Sequence, residues 1–417
     1  MTKLTRRSLL IAGAGAAATA ALPKSISAQS PRPRRHDVIV VGAGVFGAWT
    51  AKKLQEAGKS VLLVDAWGPA HARASSGGES RMTRAGYGAD EIYTRMAWES
   101  LADWRRLSAR SGLPIFHQTG VLFFAPRIDD YFRQSIAVHR RLGFPIEVLD
   151  GASLRRRFPM IEFDGIDAGL YEPGFGALMA RRAVQTLVAQ FVGAGGDYRQ
   201  ARIATPRERT RTLSHIVTDA NERLHADRFV FACGPWLGQV FPEVLGRRIF
   251  PTRQEVFFFA PAAGDTRFQP GRLPGWADFN GGDIYYGFPD LESRGFKIAH
   301  DAHGPAMDPN TGDRIPSAQA LADVRGFMAR RFPALADRPL SEARVCQYEN
   351  SSNGDFLIDL LPTYPNVVLV GGGSGHGFKH GPAVGRYAAE LTLGTLRAPE
   401  PRFSLATKAE TANRSVH

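Results

Sequence analysis

Three groups of residues predict an α/β protein in two parts, one nucleotide-binding part around a parallel sheet and one around an antiparallel sheet. The first group is HDVIVVGAGVFGAWTAKKLQEAGKSVLLVD, residues 36–65, which reads as strand, glycine-rich turn, helix and strand. The second is NVVLVGGGSGHGFKHGPAVGRYAAEL, residues 366–391, again a strand, a glycine-rich loop and a helix. The third is a set of short runs rich in β-branched and aromatic residues, bounded by Gly, Pro and Asp: TGVLFFAP, RQEVFFFAP, DIYYGFP and GFKIAH.

The chain is read in order from its first residues. TRRSLLIAGAGAAATAALPKSISAQS has a twin arginine, a weakly apolar run and small residues near Ala28. It predicts a Tat export signal over residues 1–28 and a protein delivered to the periplasm or beyond. The run from Leu9 to Leu22 falls short of the ~20 residues that span a bilayer, so no stable membrane anchor is expected.

The nucleotide-binding unit follows. Val38–Val41 is an apolar strand, and Gly42, Gly44 and Gly47 then stand in GxGxxG spacing. Gly42 permits the tight turn, Gly44 lets the backbone approach a pyrophosphate, and Gly47 lets helix and strand pack closely. The helix runs to Ala57 and Gly58 ends it; Val61–Val64 is the second strand, closed by Asp65. Asp65 is expected to accept from a ribose 2′-OH, which argues against NADP. The spacing leaves NAD and FAD both open.

Leu178, Val184, Leu187, Val188 and Phe191 have helical spacing, and GAGG ends that helix. RFVFACGPW predicts a buried strand running into a Gly-Pro turn. The nucleotide-binding domain is therefore drawn as discontinuous, over 36–116, 177–247 and 340–397. The substrate domain takes 117–176 and 248–339, and 398–417 is a polar, loosely ordered tail.

Composition excludes other classes. Hydrophobic residues make up 44% and charged residues 22%, as in ordinary globular chains. Of the formal +12, four charges come from Lys3, Arg6, Arg7 and Lys24, which leaves +8 spread among acids with no basic–aromatic block. No nucleic-acid partner is expected. Cys233 and Cys346, the two cysteines, are able to pair in an oxidising compartment, and their separation leaves that open.

The stretches GAGVFGAWTAKKLQEAGKSVLLVD, GGESRMTRAGY, IYYGFP, ARVCQYEN, DFLIDLLP and GSGHGFKHGPAVG together resemble, in order, the monomeric sarcosine oxidase group of the D-amino-acid-oxidase-like flavoproteins. The resemblance spans roughly residues 36–395. It implies FAD, no metal, and a small amine or amino acid bearing a carboxylate as substrate. The C–N bond is oxidised to an imine and O2 is reduced to H2O2. It places a cysteine thioether to the flavin at Cys346, with Arg344 helping to form the thiolate; a buried structural cysteine and a Cys233–Cys346 disulfide are the alternatives. It assigns Arg84 and Lys379 to the substrate carboxylate, Lys297 to the place where oxygen is reduced, Tyr286 and Tyr348 to the pocket, Arg81 to the flavin ring, and Gly375 and Gly377 to a loop whose N–H groups face the flavin.

Two departures from the group alter the expected pocket. Gly77 stands where a histidine is expected, and Asp301 stands four places after Lys297 in place of another. Rival readings are a dehydrogenase of the same fold that reduces a quinone or cytochrome, a flavin-binding module without turnover, and a nicotinamide enzyme.

Overall fold

Four consecutive buried apolar residues, Val38 to Val41, make the first strand a central one, and the chain then turns at once into a helix. The computed structural model describes residues 35–207, 210–280, 283–302 and 304–412. The export-signal expectation lies outside these residues. β1 (His36–Val41), α1 (Val45–Glu56) and β2 (Val61–Asp65) form the expected unit, with β1 and β2 parallel and in register from Val38↔Val61 to Val41↔Val64. Gly42 has φ +106°, a left-handed conformation that glycine alone adopts without strain, and a Cβ there would run into the Ala232 carbonyl. A Cβ at Gly47 would strike the Gly42 carbonyl, so the helix sits against the turn only because that side chain is absent.

Among the described residues the first sheet has seven strands. Leu357–Leu361, Tyr364–Gly371, Arg223–Phe231, β1, β2 and Asp197–Gln200 follow one another, and His215–Val217 hangs on Arg223–Phe231. Four of the five pairings along this order are parallel, and that of Leu357–Leu361 with Tyr364–Gly371 is antiparallel. One face is covered by α1, Ala180–Gly193 and Gly381–Leu393 around Trp49, Leu54, Val184, Leu187 and Val384. The other carries Phe229, Phe231, Leu237, Phe241 and Leu369.

The second sheet has eight strands among the described residues, in the order Leu340–Ser351, Ile249–Phe259, Phe296–Asp301, Asp283–Phe288, Gly275–Asn280, Val121–Ala125, Ala168–Glu172 and Glu147–Asp150. It is antiparallel except where Gly275–Asn280 runs parallel to Val121–Ala125. Its core gathers Phe124, Phe257, Phe259, Trp276, Phe296, Phe327 and Phe332. Ser80–Thr83, Gly176–Met179 and Phe116–His117 make a third, small sheet.

Three expectations are corrected. Leu178 does not open a helix. It lies in the strand Gly176–Met179, and the helix begins at Ala180, because Leu178 pairs in register with Arg81 and Phe116. Leu340–Ser351, drawn with the nucleotide-binding part, pairs along its whole length with Ile249–Phe259 in the eight-stranded sheet. Residues 399–412 do not trail off. Phe403 is fully buried against Tyr93, Phe356 and Tyr387, and Arg402 forms ion pairs with Asp355 and Asp90. A charged-looking stretch docks because one aromatic enters the core while its arginine meets carboxylates at the rim.

Candidate active site

Two cavities share a wall. The outer one encloses about 1510 Å³, open solvent at its mouth included, and runs past Gly42, Gly44, Asp65, Arg81, Glu349, Gly375 and Gly377. The inner one encloses about 770 Å³ on the same basis, and its wall includes Arg84, Tyr286, Asp301, Tyr348, His376 and Lys379. Arg81, Tyr348, Gly375 and Phe378 belong to both.

The outer cavity is built where β1 ends. Gly44, Val45 and Phe46 bring the N-terminus of α1 to its wall, where unpaired helical N–H groups and the helix dipole favour an anion. The Val45 N–H is already taken by Ser76 Oγ at 3.1 Å. Asp65 lines the cavity, but both its oxygens accept backbone N–H groups: Oδ2 from Ala43 at 2.7 Å, and Oδ1 from Trp67 at 2.9 Å and Gly68 at 2.8 Å. Its first task is to shape the turn. Oδ2, with one bond made, keeps a lone pair for a ribose hydroxyl. Gly47 is not on the wall and acts through packing. Ser75 Oγ and Glu349 Oε1 are buried there without a hydrogen-bond partner among the described residues, as the wall of a site for a polar guest would have it. A long cavity with an anion-binding helix end, an acid at the second strand and spare polar groups further in fits FAD.

Arg84 reaches the inner cavity from the segment after the strand Ser80–Thr83. Its Nη1 donates to the Gly86 carbonyl and to Tyr131 Oη at 3.4 Å, and its guanidinium lies 4.2 Å from the centre of the Tyr87 ring. No carboxylate among the described residues lies in ion-pair range. Burial disfavours its charge, but Tyr131, Tyr87, Glu172 and Asp301 outweigh that and hold it firmly protonated. Lys379 donates from Nζ to the His376 carbonyl at 2.7 Å and stands 5.2 Å over the same Tyr87 ring. The sequence-predicted pair of cations therefore meets on one aromatic ring.

Tyr286 and Tyr348 both line this cavity, and Tyr348 donates to Asp301 Oδ1 at 2.9 Å. Burial, then Asp301, pushes the Tyr286 hydroxyl up to about 12, and burial and Asp301 push Tyr348 well above the usual phenol range. Both remain neutral donors at physiological pH. His376 is tied through Nδ1 to Tyr87 Oη at 3.1 Å and through Nε2 to the Gly354 carbonyl at 3.1 Å, which suits a structural role.

Lys297 lies on neither wall. Its buried Nζ donates to Ser80 O at 2.8 Å and stands 5.1 Å from the Phe288 ring centre. Burial, then Arg81, pulls it down to about 7. Arg81 itself is held by the carbonyls of Ser80 and Ser75 at 2.9 and 2.8 Å.

Cys346 is half-buried on the strand Leu340–Ser351 beside Val256, Phe258 and Ala299, two residues before Tyr348 and so on the same face of the sheet. Cys233 is also a free thiol, bonded to the Val41 carbonyl, so the two cysteines are not joined. Arg344 is not poised to assist Cys346: it forms ion pairs with Glu79, at 2.6 Å, and with Glu342.

Sequence reasoning missed Glu349. Nothing in a glutamate one place after an assigned tyrosine signals burial. Only the close approach of Gly371 to its carboxylate reveals the packing.

A family profile described as FAD dependent oxidoreductase matches residues 37–391. Monomeric sarcosine oxidase of Bacillus sp. (strain B-0618) is 30% identical over 374 residues, covering 86% of this chain and 92% of its own. N-methyl-L-tryptophan oxidase of Salmonella typhimurium (strain LT2) is 29% identical over 374 residues, covering 86% and 95%. Among solved structures, L-proline dehydrogenase from P. horikoshii superposes with a TM-score of 0.77 at 20% identity, covering 89% of this chain and 97% of that one. A modified fructosyl peptide oxidase from Aspergillus nidulans gives 0.79 at 18% identity, covering 91% and 95%. These structures share the fold.

Proposed function

The chain belongs to the FAD dependent oxidoreductase family, and from that premise we propose that it is an exported, sarcosine-oxidase-like oxidase of secondary or N-methyl amino acids that passes electrons to O2. The coarser statement, an FAD-dependent oxidoreductase of amines or amino acids, follows from the family and its relatives. The observation that carries the finer reading is the meeting of Arg84 and Lys379 over Tyr87 on a cavity that shares a wall with the cofactor cavity.

Bound FAD would supply the acceptor for a hydride equivalent from the substrate's C–H bond, leaving an imine that water hydrolyses. The protein's part is placement. Arg84 offers a planar fork to the carboxylate and Lys379 a second positive charge. Tyr286 and Tyr348, kept neutral, donate hydrogen bonds across the pocket. Lys297, beside Arg81 and Ser80, provides positive charge for oxygen as it is reduced, and its amine near 7 makes that contribution fall as pH rises. Cys346 is the residue to carry a thioether to the cofactor. Lys297 and Arg314, rather than Arg344, are the cations that Cys346 faces. Export through the Tat route rests on Arg6, Arg7 and the run that follows.

Acid precipitation of the purified protein tests the thioether. The yellow colour is expected in the pellet of the wild type and in the supernatant for Cys346→Ala. Colour in the wild-type supernatant would rule the link out. With substrate present, one H2O2 per substrate is expected; dye reduction without peroxide would favour a quinone or cytochrome acceptor.

A further inference from the structure

Tyr87 touches both cations assigned to the substrate carboxylate, yet it lies on the wall of neither cavity. Its ring centre is 4.2 Å from the Arg84 guanidinium and 5.2 Å from Lys379 Nζ. The two cations arrive from different elements. Arg84 follows the strand Ser80–Thr83, and Lys379 stands in the short helix Phe378–His380 that leads into Gly381–Leu393. Two like charges repel when no anion lies between them. Asp301 and Glu172 support Arg84 through space, while the ring is in contact with it. The negative face of an aromatic ring attracts both charges at once.

The ring is itself held. It is 8% exposed and packs 5.4 Å from Tyr93, which donates to Asp355 at 2.7 Å. Tyr87 Oη lies 3.1 Å from His376 Nδ1 and 2.8 Å from His380 Nε2. The direction of these bonds follows from their ends. His376 Nε2 lies 3.1 Å from the Gly354 carbonyl, which can only accept, so Nε2 carries the proton and a neutral imidazole then has a bare Nδ1. Tyr87 therefore donates to His376. Burial, then Lys379, pushes His380 well below the usual imidazole range, and this neutral ring donates from Nε2 to Tyr87. His376 also gives its carbonyl to Lys379 Nζ at 2.7 Å. One phenol thus ties both ends of the segment His376–His380, which carries Lys379.

Resting on the amine-oxidase reading above, we propose that Tyr87 is a positioning residue for the substrate carboxylate: its ring face holds Arg84 and Lys379 together before substrate arrives, and its hydroxyl holds the Lys379 segment against that ring. It acts through the two cations and does not touch the substrate. Affinity for an anion depends on how much ordering of the cations is left to be done on binding. The ring does that ordering in advance. An aliphatic side chain of similar size fills the volume but leaves each cation free to turn to a carbonyl or to water.

The test titrates propionate, and propionamide of the same shape without the charge, against the flavin absorption of the holoenzyme. Neither is an amine, so binding is read whether or not the protein oxidises amines. The wild type is expected to bind propionate at least about tenfold more tightly than propionamide, as charge-assisted contacts imply. Tyr87→Leu should weaken propionate about tenfold and leave propionamide within about threefold, because only the carboxylate uses the ordered cations. Tyr87→Phe keeps the ring face, so it should lower the melting temperature through the lost histidine bonds while holding propionate affinity within about threefold. If Tyr87→Leu does not retain flavin, Tyr87→Met, which also lacks a ring, takes its place with the same expectations. No preference for propionate in the wild type, unchanged propionate affinity without the ring, or an equal loss for both ligands would overturn the assignment. So would a loss in Tyr87→Phe as large as in the ringless variant. Anaerobic mixing with sarcosine and other N-methyl amino acids separates the two readings: no flavin bleaching, with the propionate pattern intact, would uphold Tyr87 as the brace of an anion site and defeat the amine-oxidase reading instead.

Discussion

Glu349 lies 6% exposed on the wall of the outer cavity, in an environment that does not favour its charge. Burial pushes its carboxyl up to about 8, although the N–H groups of Gly372 and Gly373 pull it down. Between the ordinary glutamate value and about 8 the folded protein holds a proton that the unfolded chain has released. Stability therefore falls as pH rises through that window, by up to about 1.4 kcal/mol per pH unit for this one group. Below the window the penalty is absent; above it the penalty is complete. Denaturant melts from pH 4.5 to 8 are expected to show a shallower decline in stability for Glu349→Gln than for the wild type. Parallel profiles would contradict a neutral buried Glu349. Lys297 shifts the other way, as a buried base: its penalty is full below about 7 and is relieved as pH rises above it.

At the scale of elements, the segment Pro401–Phe403 teaches most about what a sequence conceals. Its aromatic enters the core formed by α1, Glu91–Ala109 and Gly381–Leu393, while Ser404 and the Leu405 N–H bond to Asp359. Phe403→Ala is expected to cost about 3–5 kcal/mol in urea melts, the range for a buried phenylalanine. A loss under ~1 kcal/mol would mean the segment is loosely attached. The βαβ unit was legible because each of its parts is specified locally: Gly42 and Gly47 by backbone geometry, and Val38–Val41 and Val61–Val64 by unbroken apolar runs. Docking of Phe403 was not legible, since its partners Tyr93 and Phe356 are distant in sequence. The pairing of Leu340–Ser351 with Ile249–Phe259 was hidden for the same reason. Arg84, Lys379, Tyr286 and Tyr348, named from motif resemblance, stand together on the wall of the inner cavity. The withdrawal of Lys297 behind Ser80 and the capture of Arg344 by Glu79 depend on contacts between elements that no local pattern records.

Across the whole molecule, the parallel sheet presents the ends of β1 and β2 to one cavity, and the eight-stranded sheet supplies Tyr286, Asp301 and Tyr348 to the next. No helix among the described residues is long and apolar enough to cross a membrane. In the proposed reaction an amino acid is held by its carboxylate in the inner cavity while its C–H bond faces a flavin in the outer one. The most direct measurement is anaerobic flavin bleaching, followed by rapid mixing, for an N-methyl amino acid, for the matching amine without its carboxylate, and for the Arg84→Lys protein. Prompt bleaching by the amino acid is expected, with efficiency at least ~100-fold lower for the decarboxylated amine and a tenfold or greater loss in Arg84→Lys that appears in substrate affinity. Equal bleaching by both compounds, with Arg84→Lys unaffected, would contradict it.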